Sequence, residues 1–321
     1  RFRRFPLFVI FLIVFNVGNI LAILAPSYEV LMLARICTAI VSGVTLSTVM
    51  TFINDIIPQE QAPRIISFVY AGFSVASVLG TPIGTLLSDA FGIKSAFVAV
   101  EAVALLVTVL LLISVPRSGS TDVSSSVREQ LVILKDRRII LVLVMKAFGM
   151  AATYVFYVYV TPILEDSVGL SVWMVSLVLF FYGGATIISN LGSGSLAQRY
   201  GLGKLPMMFA LQAVVLALLG VSLASGNTVL CIINVVLTGV FIYHMNAPLQ
   251  SYLLQVSAKD YPRALTLASA VMPTSSDIGI ATGSFMGGVV ATNLGFAWSG
   301  PVGAVLAVVS VVAAFMILQP E

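Results

Sequence analysis

Ten long apolar runs restrict the folds that this sequence can adopt. Each run has about 20 residues or more, which is the length of a helix that crosses the hydrocarbon core of a bilayer. The runs lie at about residues 5–25, 30–56, 63–88, 93–115, 139–164, 170–198, 203–224, 228–256, 262–291 and 295–318. Backbone N–H and C=O groups in lipid must find their partners inside the segment, which such a run achieves as a helix. The pattern predicts an all-α polytopic membrane protein with ten spans.

The composition excludes a soluble enzyme. Only 9% of the 321 residues are charged and 59% are hydrophobic, whereas about 25% of a soluble protein is charged. Cys37 and Cys231 lie in apolar runs and His244 is the single histidine, so we expect no disulfide framework, no metal centre and no cofactor. A membrane-embedded enzyme would need clustered His, Cys or carboxylates at one depth. The scattered acids here do not supply such a cluster, and the sequence predicts no enzyme.

The basic residues predict the orientation. Placing residues 1–4 in the cytoplasm puts thirteen of the sixteen Lys and Arg residues on cytoplasmic loops and tails, and leaves only Lys94 outside. Arg35 and Lys146 fall inside spans. An excess of Lys and Arg on cytoplasmic loops is the usual sign of membrane topology. We therefore expect a multi-pass protein of the cell (plasma or inner) membrane with both ends of this chain cytoplasmic.

One polar, Ser-rich segment divides the chain. Residues 116–138 predict a cytoplasmic linker between a four-helix half, residues 1–115, and a six-helix half, residues 139–321. Sliding the sequence on itself by 199 positions pairs similar residues of the two halves, namely Pro63–Arg64 with Pro262–Arg263, Ala71 with Ala270, Ser77 with Ser276, Gly80 with Gly279 and Gly84 with Gly283. Parallel six-helix halves build one large class of secondary transporters. The first half therefore lacks two helices, and we interpret the chain as N-terminally truncated.

Short motifs make the chain resemble the major facilitator superfamily, in particular its arabinose-efflux-like branch of drug:proton antiporters. The motifs are Arg1–Arg4, Leu33–Cys37 with Gly43, Gly80–Gly84, Gly194–Gly201 and Asp277–Gly283. The resemblance makes Gly80, Pro82 and Gly84 an antiporter motif, and Gly194, Arg199 and Gly201 a second-half loop motif. Glycines four residues apart also let a neighbouring helix approach closely, so plain packing is the alternative for Gly80 and Gly84.

The resemblance implies the major facilitator fold, with ten of twelve transmembrane helices present in two pseudo-symmetric halves. It implies a monomeric secondary active transporter that exports a small organic molecule or drug in exchange for protons, by alternating access. The partners would be the small-molecule substrate, protons and the lipid bilayer, with no nucleic acid. No GxxxxGK[ST] loop occurs, so ATP is not expected to drive transport. A sugar or nucleoside efflux permease of the same fold and a non-transporting membrane sensor remain alternatives.

Ionisable residues inside the spans are candidates for proton coupling or gating, because burying a charge in a membrane is costly. Arg35 either tunes a proton-binding carboxylate or holds an anion, or it bonds backbone carbonyls and locks packing. Glu101 either carries a proton or snorkels and pairs with Lys94. Asp55 is similar to the family's acid that latches the inward gate. Lys146 is expected to snorkel toward the cytoplasm.

Asp277 lies in the middle of its span and predicts a proton carrier or a cation-binding group. The alternative is an aspartate that is hydrogen-bonded to Ser275, Ser276 or a neighbouring helix.

Polar and aromatic residues in two spans are candidates for the substrate cavity. Tyr243, His244 and Asn246 lie near the centre of the run 228–256, where Pro248 would loosen the helix. Transporters bind substrates at the membrane midplane, next to interrupted helices. Tyr154 and Tyr157 lie in the run 139–164. The alternatives are that His244 is satisfied by packing, and that the tyrosines pack against other helices or lie at the membrane–water interface.

Overall fold

A computed structural model describes residues 4–56, 62–114 and 131–319. Within these ranges the chain forms eleven α-helices of fourteen or more residues, and no strand. They are α1 (Arg4–Leu24), α2 (Tyr28–Ile56), α3 (Ala62–Phe91), α4 (Ile93–Ser114), α5 (Arg137–Tyr157), α6 (Val172–Tyr200), α7 (Leu205–Ser225), α8 (Thr228–Phe241), α9 (Asn246–Asp260), α10 (Leu265–Asn293) and α11 (Ser299–Leu318). The prediction of an all-α protein is confirmed.

The helices coincide with the ten apolar runs of the sequence, except that one run holds both α8 and α9. Six helical segments of the described residues are long and apolar enough to cross a membrane, namely Ile93–Ser114, Arg137–Tyr157, Val172–Tyr200, Leu205–Ser225, Thr228–Asp260 and Phe296–Leu318. A shorter apolar helix covers Phe8–Leu24. The helices end where the backbone chemistry changes. For example, Gly226 takes a left-handed conformation after α7, with φ of +65°, and the Asn227 side chain accepts a hydrogen bond from the Leu230 N–H to begin α8.

The helix contacts divide the described residues into two compact units. The first holds α1, α2, α4 and part of α3; the second holds α5 to α11 together with Ser74–Pro82 of α3. In the first unit α1 contacts both α2 and α4. In the second, α5 contacts α10 and α11, α11 contacts α7, and α6 contacts α8 and α9. The boundaries 1–115, 116–138 and 139–321 drawn from the sequence stay a prediction.

Glycines bring α10 unusually close to α5. A Cβ atom built at Gly279 would lie 2.2 Å from the carbonyl oxygen of Ala147, and one at Gly283 would lie 2.4 Å from that of Ala151. Gly287 repeats this contact one turn further along, against Val155. Spacing by four residues puts the glycines on one face of α10. Backbone therefore packs on backbone along this contact, which fixes Asp277 relative to α5.

Candidate functional site

The second unit contains an interrupted helix in the middle of a membrane span. α8 ends at Phe241 and α9 begins at Asn246, although both lie in one 33-residue apolar segment. Pro248 contributes to the interruption because it has no N–H to donate to the carbonyl oxygen of His244. Non-helical backbone at membrane depth is tolerated only where it is buried in protein or lines a water-filled cavity.

Two serines of α6 satisfy the backbone at this interruption. The Tyr243 N–H donates a hydrogen bond to Ser189 Oγ over 2.9 Å, and the Ala247 N–H donates to Ser193 Oγ over 2.8 Å. Ser189 and Ser193 are four residues apart, so they lie on the same face of α6. Both serines are buried. The interruption is therefore held in place by α6. Sequence reasoning missed both serines, although small polar residues one turn apart in an apolar run were visible.

The side chain of a lysine from α5 reaches the start of α9. Lys146 of α5 is only 6% exposed, and its ammonium group donates a hydrogen bond to Asn246 Oδ1. Asn246 Nδ2 in turn donates to Asn190 Oδ1 of α6, over 3.4 Å. The Lys146 ammonium and the two amide groups therefore connect α5, α9 and α6 at the interruption. Lys146 does not snorkel as the sequence suggested, because a partner on a neighbouring helix keeps its charge inside the unit.

Asp277 of α10 is the acidic group of this site. Its side chain is exposed, and it interacts electrostatically with Lys146. The two do not form a direct ion pair among the described residues. The Ser275 hydroxyl donates to the Leu143 carbonyl over 2.7 Å, and the Ser276 hydroxyl donates to the Met272 carbonyl over 3.1 Å. Both hydroxyl hydrogens are therefore engaged elsewhere, so neither is donated to Asp277.

Tyrosines surround the same region. The rings of Tyr157 and Tyr182 stack with centroids 4.8 Å apart and an interplanar angle of 19°. Tyr154 contacts Tyr157 edge-on at 5.4 Å, and Tyr154 also interacts with Tyr243 and with Asp277. The structure thus brings the predicted tyrosines together with Asp277 and adds Tyr182, which sequence reasoning missed.

His244 is buried beside this cluster, with 2% of its surface exposed. Its Nδ1 is hydrogen-bonded to the Phe241 carbonyl oxygen, while Nε2 has no partner among the residues that the structure describes. The ring meets Phe209 edge-on at 4.8 Å. Its position, next to the interruption, leaves both its packing role and its role as a ligand open.

The first unit holds Arg35 and Glu101. The Arg35 guanidinium lies 5.8 Å from the ring centroid of Phe97 on α4. Glu101, also on α4, is 5% exposed and faces Asn19 of α1. Burial removes the snorkelling alternative for Glu101. Sequence reasoning missed Asn19, which stands in an otherwise apolar run.

Other candidates lie apart from these clusters. Gly80, Gly84, Gly194 and Gly201 have no atom of the described residues within 4 Å of an added Cβ, so the close approach expected at Gly80 and Gly84 is not seen there. Pro82 is buried inside α3, Arg199 is exposed in the last turn of α6, and Gly201 ends α6 with φ of +54°. Asp55 belongs to the last turn of α2, and its side chain lies outside the described residues. The roles suggested for these residues stay predictions.

Comparison with known proteins decides the family. The profile of the Major Facilitator Superfamily matches residues 1–272 of this chain. The chain belongs to the Major Facilitator Superfamily. An MFS-type transporter of Bacillus subtilis, YtbD, is 31% identical over 300 residues, which are 93% of this chain and 75% of YtbD. The inner membrane transport protein YdhP of Escherichia coli K12 is 26% identical over 100% of this chain and 81% of its own length.

Solved structures show the same fold. A bacterial homologue of the human lysosomal transporter Spinster, in an inward-facing conformation, matches with a TM-score of 0.71 at 15% identity and covers 99% of this chain and 83% of its own. The transporter FucP, in an outward conformation, matches with a TM-score of 0.63 at 14% identity, over 98% and 83%. This member of the superfamily is therefore a multi-pass membrane transporter of small molecules and not an enzyme.

Proposed function

We propose that this transporter exports a small organic molecule in exchange for protons, and that Asp277, Lys146 and Asn246 form the site where the two compete. The observation that carries the proposal is the buried Lys146 ammonium, hydrogen-bonded to Asn246 at the helix interruption and facing Asp277. Ionisable groups inside membrane spans are expensive and usually mark ion or proton pathways. The exposure of the Asp277 side chain and its charged neighbour Lys146 support a proton-carrying role for Asp277.

Electrostatics supports competition at this site. With Asp277 ionised, the Lys146 and Asp277 charges offset each other in a region of low dielectric constant. A proton on Asp277 removes the negative charge and leaves the ammonium with its bond to Asn246. A bound substrate that hydrogen-bonds to ionised Asp277 opposes this protonation. Proton and substrate therefore exclude each other, which is the requirement for exchange. One proton crossing the membrane supplies about 2.3 kcal/mol per 100 mV.

The tyrosines suggest the kind of substrate. Tyr154, Tyr157, Tyr182 and Tyr243 offer ring faces together with hydroxyl groups. Aromatic faces favour apolar or ring-containing molecules, and hydroxyls fix their orientation. We infer a lipophilic or neutral compound, in line with the resemblance to drug:proton antiporters. The basic loops support a cell-membrane location with both ends of this chain in the cytoplasm.

The proposal is tested in proteoliposomes that contain the full-length protein and a pH-sensitive dye. Chloramphenicol, arabinose and adenosine are added separately across a pH gradient, and proton movement is recorded. We expect chloramphenicol to dissipate the gradient, and Asp277→Asn to abolish that response. Asp166→Asn, which changes an exposed acid in the turn before α6, serves as the matched control and keeps it.

Each alternative corresponds to a different outcome. A response to arabinose or adenosine alone would replace the drug substrate with a sugar or nucleoside. Binding of chloramphenicol, measured by equilibrium dialysis, without any proton movement would favour a sensor. An unchanged response in Asp277→Asn would refute the role of Asp277.

A further inference from the structure

Three helices of the first unit meet at one level. A Cβ atom at Gly18 of α1 would lie 2.5 Å from Thr38 Cγ2, so only glycine lets α2 come this close. The Thr38 hydroxyl donates to the Arg35 carbonyl oxygen over 2.9 Å. On its other side, α1 contacts α4. There Asn16 Nδ2 of α1 donates a hydrogen bond to Thr108 Oγ1 of α4 over 2.9 Å. The close contact at Gly18 brings Arg35 within reach of α4.

Arg35 already touches α4, one helical turn from Glu101. Its guanidinium carbon is 5.8 Å from the Phe97 ring centroid, a distance at which a cation is attracted to the ring face. Phe97 and Glu101 are four residues apart and therefore share a face of α4. One turn of helix rises about 5.4 Å, and the flexible arginine side chain can span that step. Arg35 thus has two alternative partners on α4.

The Glu101 carboxyl group lacks the partners that a buried charge needs. It is 5% exposed, and neither oxygen accepts a hydrogen bond from a residue in the described ranges. Asn19 faces it, but Asn19 Nδ2 is also without a bond of good geometry there. An ionised carboxylate so placed costs several kcal/mol or more unless a cation approaches. A proton or the Arg35 guanidinium of α2 would each satisfy it.

We propose that Glu101 is a second proton-binding site of this transporter: its ionised form captures Arg35, and its neutral form leaves Arg35 on Phe97. The proton leaves Glu101 for water and returns from it, and no other bond changes. The other charged groups of α2, α3 and α4 with described side chains are Glu29, Asp89 and Lys94, all exposed near helix ends. The side chains of Asp55 and Arg64 lie outside the described residues, and residues 5–24 of α1 contain no charged residue. The pairing of Glu101 with Arg35 adds a second site to the proposed proton coupling. A role for this pairing in transport rests on that proposed function.

Infrared spectroscopy of the full-length protein in proteoliposomes tests this pairing directly. The carbonyl band of a protonated carboxyl group is titrated with pH, and the part lost in Glu101→Gln is assigned to Glu101. We expect Arg35→Gln to raise the midpoint of this band by about one pH unit or more, since an opposite charge favours the ionised form. Phe97→Leu should lower this midpoint, because Arg35 then lacks the aromatic ring that it contacts while Glu101 is neutral.

Two further variants keep the test decisive. Arg35→Lys retains the charge and should leave the midpoint close to that of the wild type, which separates the charge from the shape of the side chain. Lys94→Gln, which removes an exposed charge from the same helix, should change it little. Equal midpoints in the wild type and Arg35→Gln, or a shift with Lys94→Gln as large as with Arg35→Gln, would overturn the pairing.

The titration needs neither substrate nor flux, so its outcome is independent of the exchange experiment. Failure of the pairing leaves the site at Asp277 intact. Conversely, if Asp277→Asn transports normally while the Glu101 band still responds to Arg35→Gln, the proposed site at Asp277 fails and the pairing stands.

Discussion

The ammonium group of Lys146 donates a hydrogen bond to Asn246, the first residue of α9. This bond ties the centre of α5 to the interruption between α8 and α9. The charge of Lys146 therefore lies next to residues 242–245, where the backbone of this span is not helical. The polar site and the helix interruption are thus parts of the same structure.

Removing the acceptor from Lys146 should destabilise the protein. In Asn246→Leu the buried ammonium keeps its charge but loses its hydrogen bond, at a cost of about 1.5–3 kcal/mol. A fall in the thermal unfolding temperature of the detergent-solubilised protein would register this loss.

The matched control is Asn293→Leu, at the exposed end of α10, which should unfold close to the wild-type temperature. The double variant Lys146→Met with Asn246→Leu should recover most of the loss, because no buried ammonium is then left without its acceptor. A single variant Asn246→Leu as stable as the wild type would contradict the importance of this bond.

The serines that hold the interruption should be individually important. Ser189→Ala and Ser193→Ala each leave a backbone N–H without its acceptor, which costs about 1–3 kcal/mol in a buried position. Hydrogen exchange measured by mass spectrometry should speed up at Tyr243 and Ala247. Ser195→Ala changes an exposed serine on the same helix and should leave exchange unaltered; equal rates in all three variants would argue against the anchoring.

The glycine contact between α10 and α5 should tolerate no side chain. Gly283→Ala forces a methyl group to within 2.4 Å of the Ala151 carbonyl oxygen, so the helices must separate, at a cost of about 1–3 kcal/mol. Gly192→Ala is the control, because an added Cβ there meets no atom within 4 Å. The unfolding temperatures of the two variants should differ clearly, with Gly283→Ala the lower; the reverse order would refute the tight contact.

A polar network outside the spans should give a defined pH dependence. The Asp136 carboxylate accepts hydrogen bonds from the Arg138 guanidinium, over 2.7 Å, from the Arg138 N–H, over 2.8 Å, and from the Tyr261 hydroxyl, over 3.1 Å. These bonds, above all those of the Arg138 side chain, lower the pKa of Asp136 below its ordinary value of 3.8. The folded state therefore prefers ionised Asp136 more strongly than the unfolded state does.

It follows that this network stabilises the protein fully above about pH 4 and that the stabilisation is lost as the pH falls through the lowered pKa of Asp136. Asp136→Asn should be less stable than the wild type at pH 7, and the difference should shrink below pH 4. Chemical unfolding at several pH values measures the difference. A gap between the two proteins that stays constant down to pH 3 would exclude Asp136 as its source.

The local sequence was enough to locate the helices, from its hydropathy, and to indicate the family, from its short motifs. Ten apolar runs predicted helical segments, and the helices lie where the runs do, because a backbone in lipid has few other ways to satisfy its hydrogen bonds. The split of the run 228–256 into α8 and α9 was only hinted at by Pro248. Whether a proline bends or interrupts a helix depends on which neighbour offers acceptors, here Ser189 and Ser193, and a linear pattern does not contain that neighbour.

The amino-acid sequence by itself determined that this chain is a helical membrane transporter of the Major Facilitator Superfamily, since spans and family motifs are local properties. The tertiary structure decided which polar residues act together. Lys146 was expected at the membrane surface, yet it meets Asn246, 100 positions away along the chain, because α5 and α9 are neighbours only in the folded protein. The cost of burying a charge is paid by a partner, and only packing shows which partner is there.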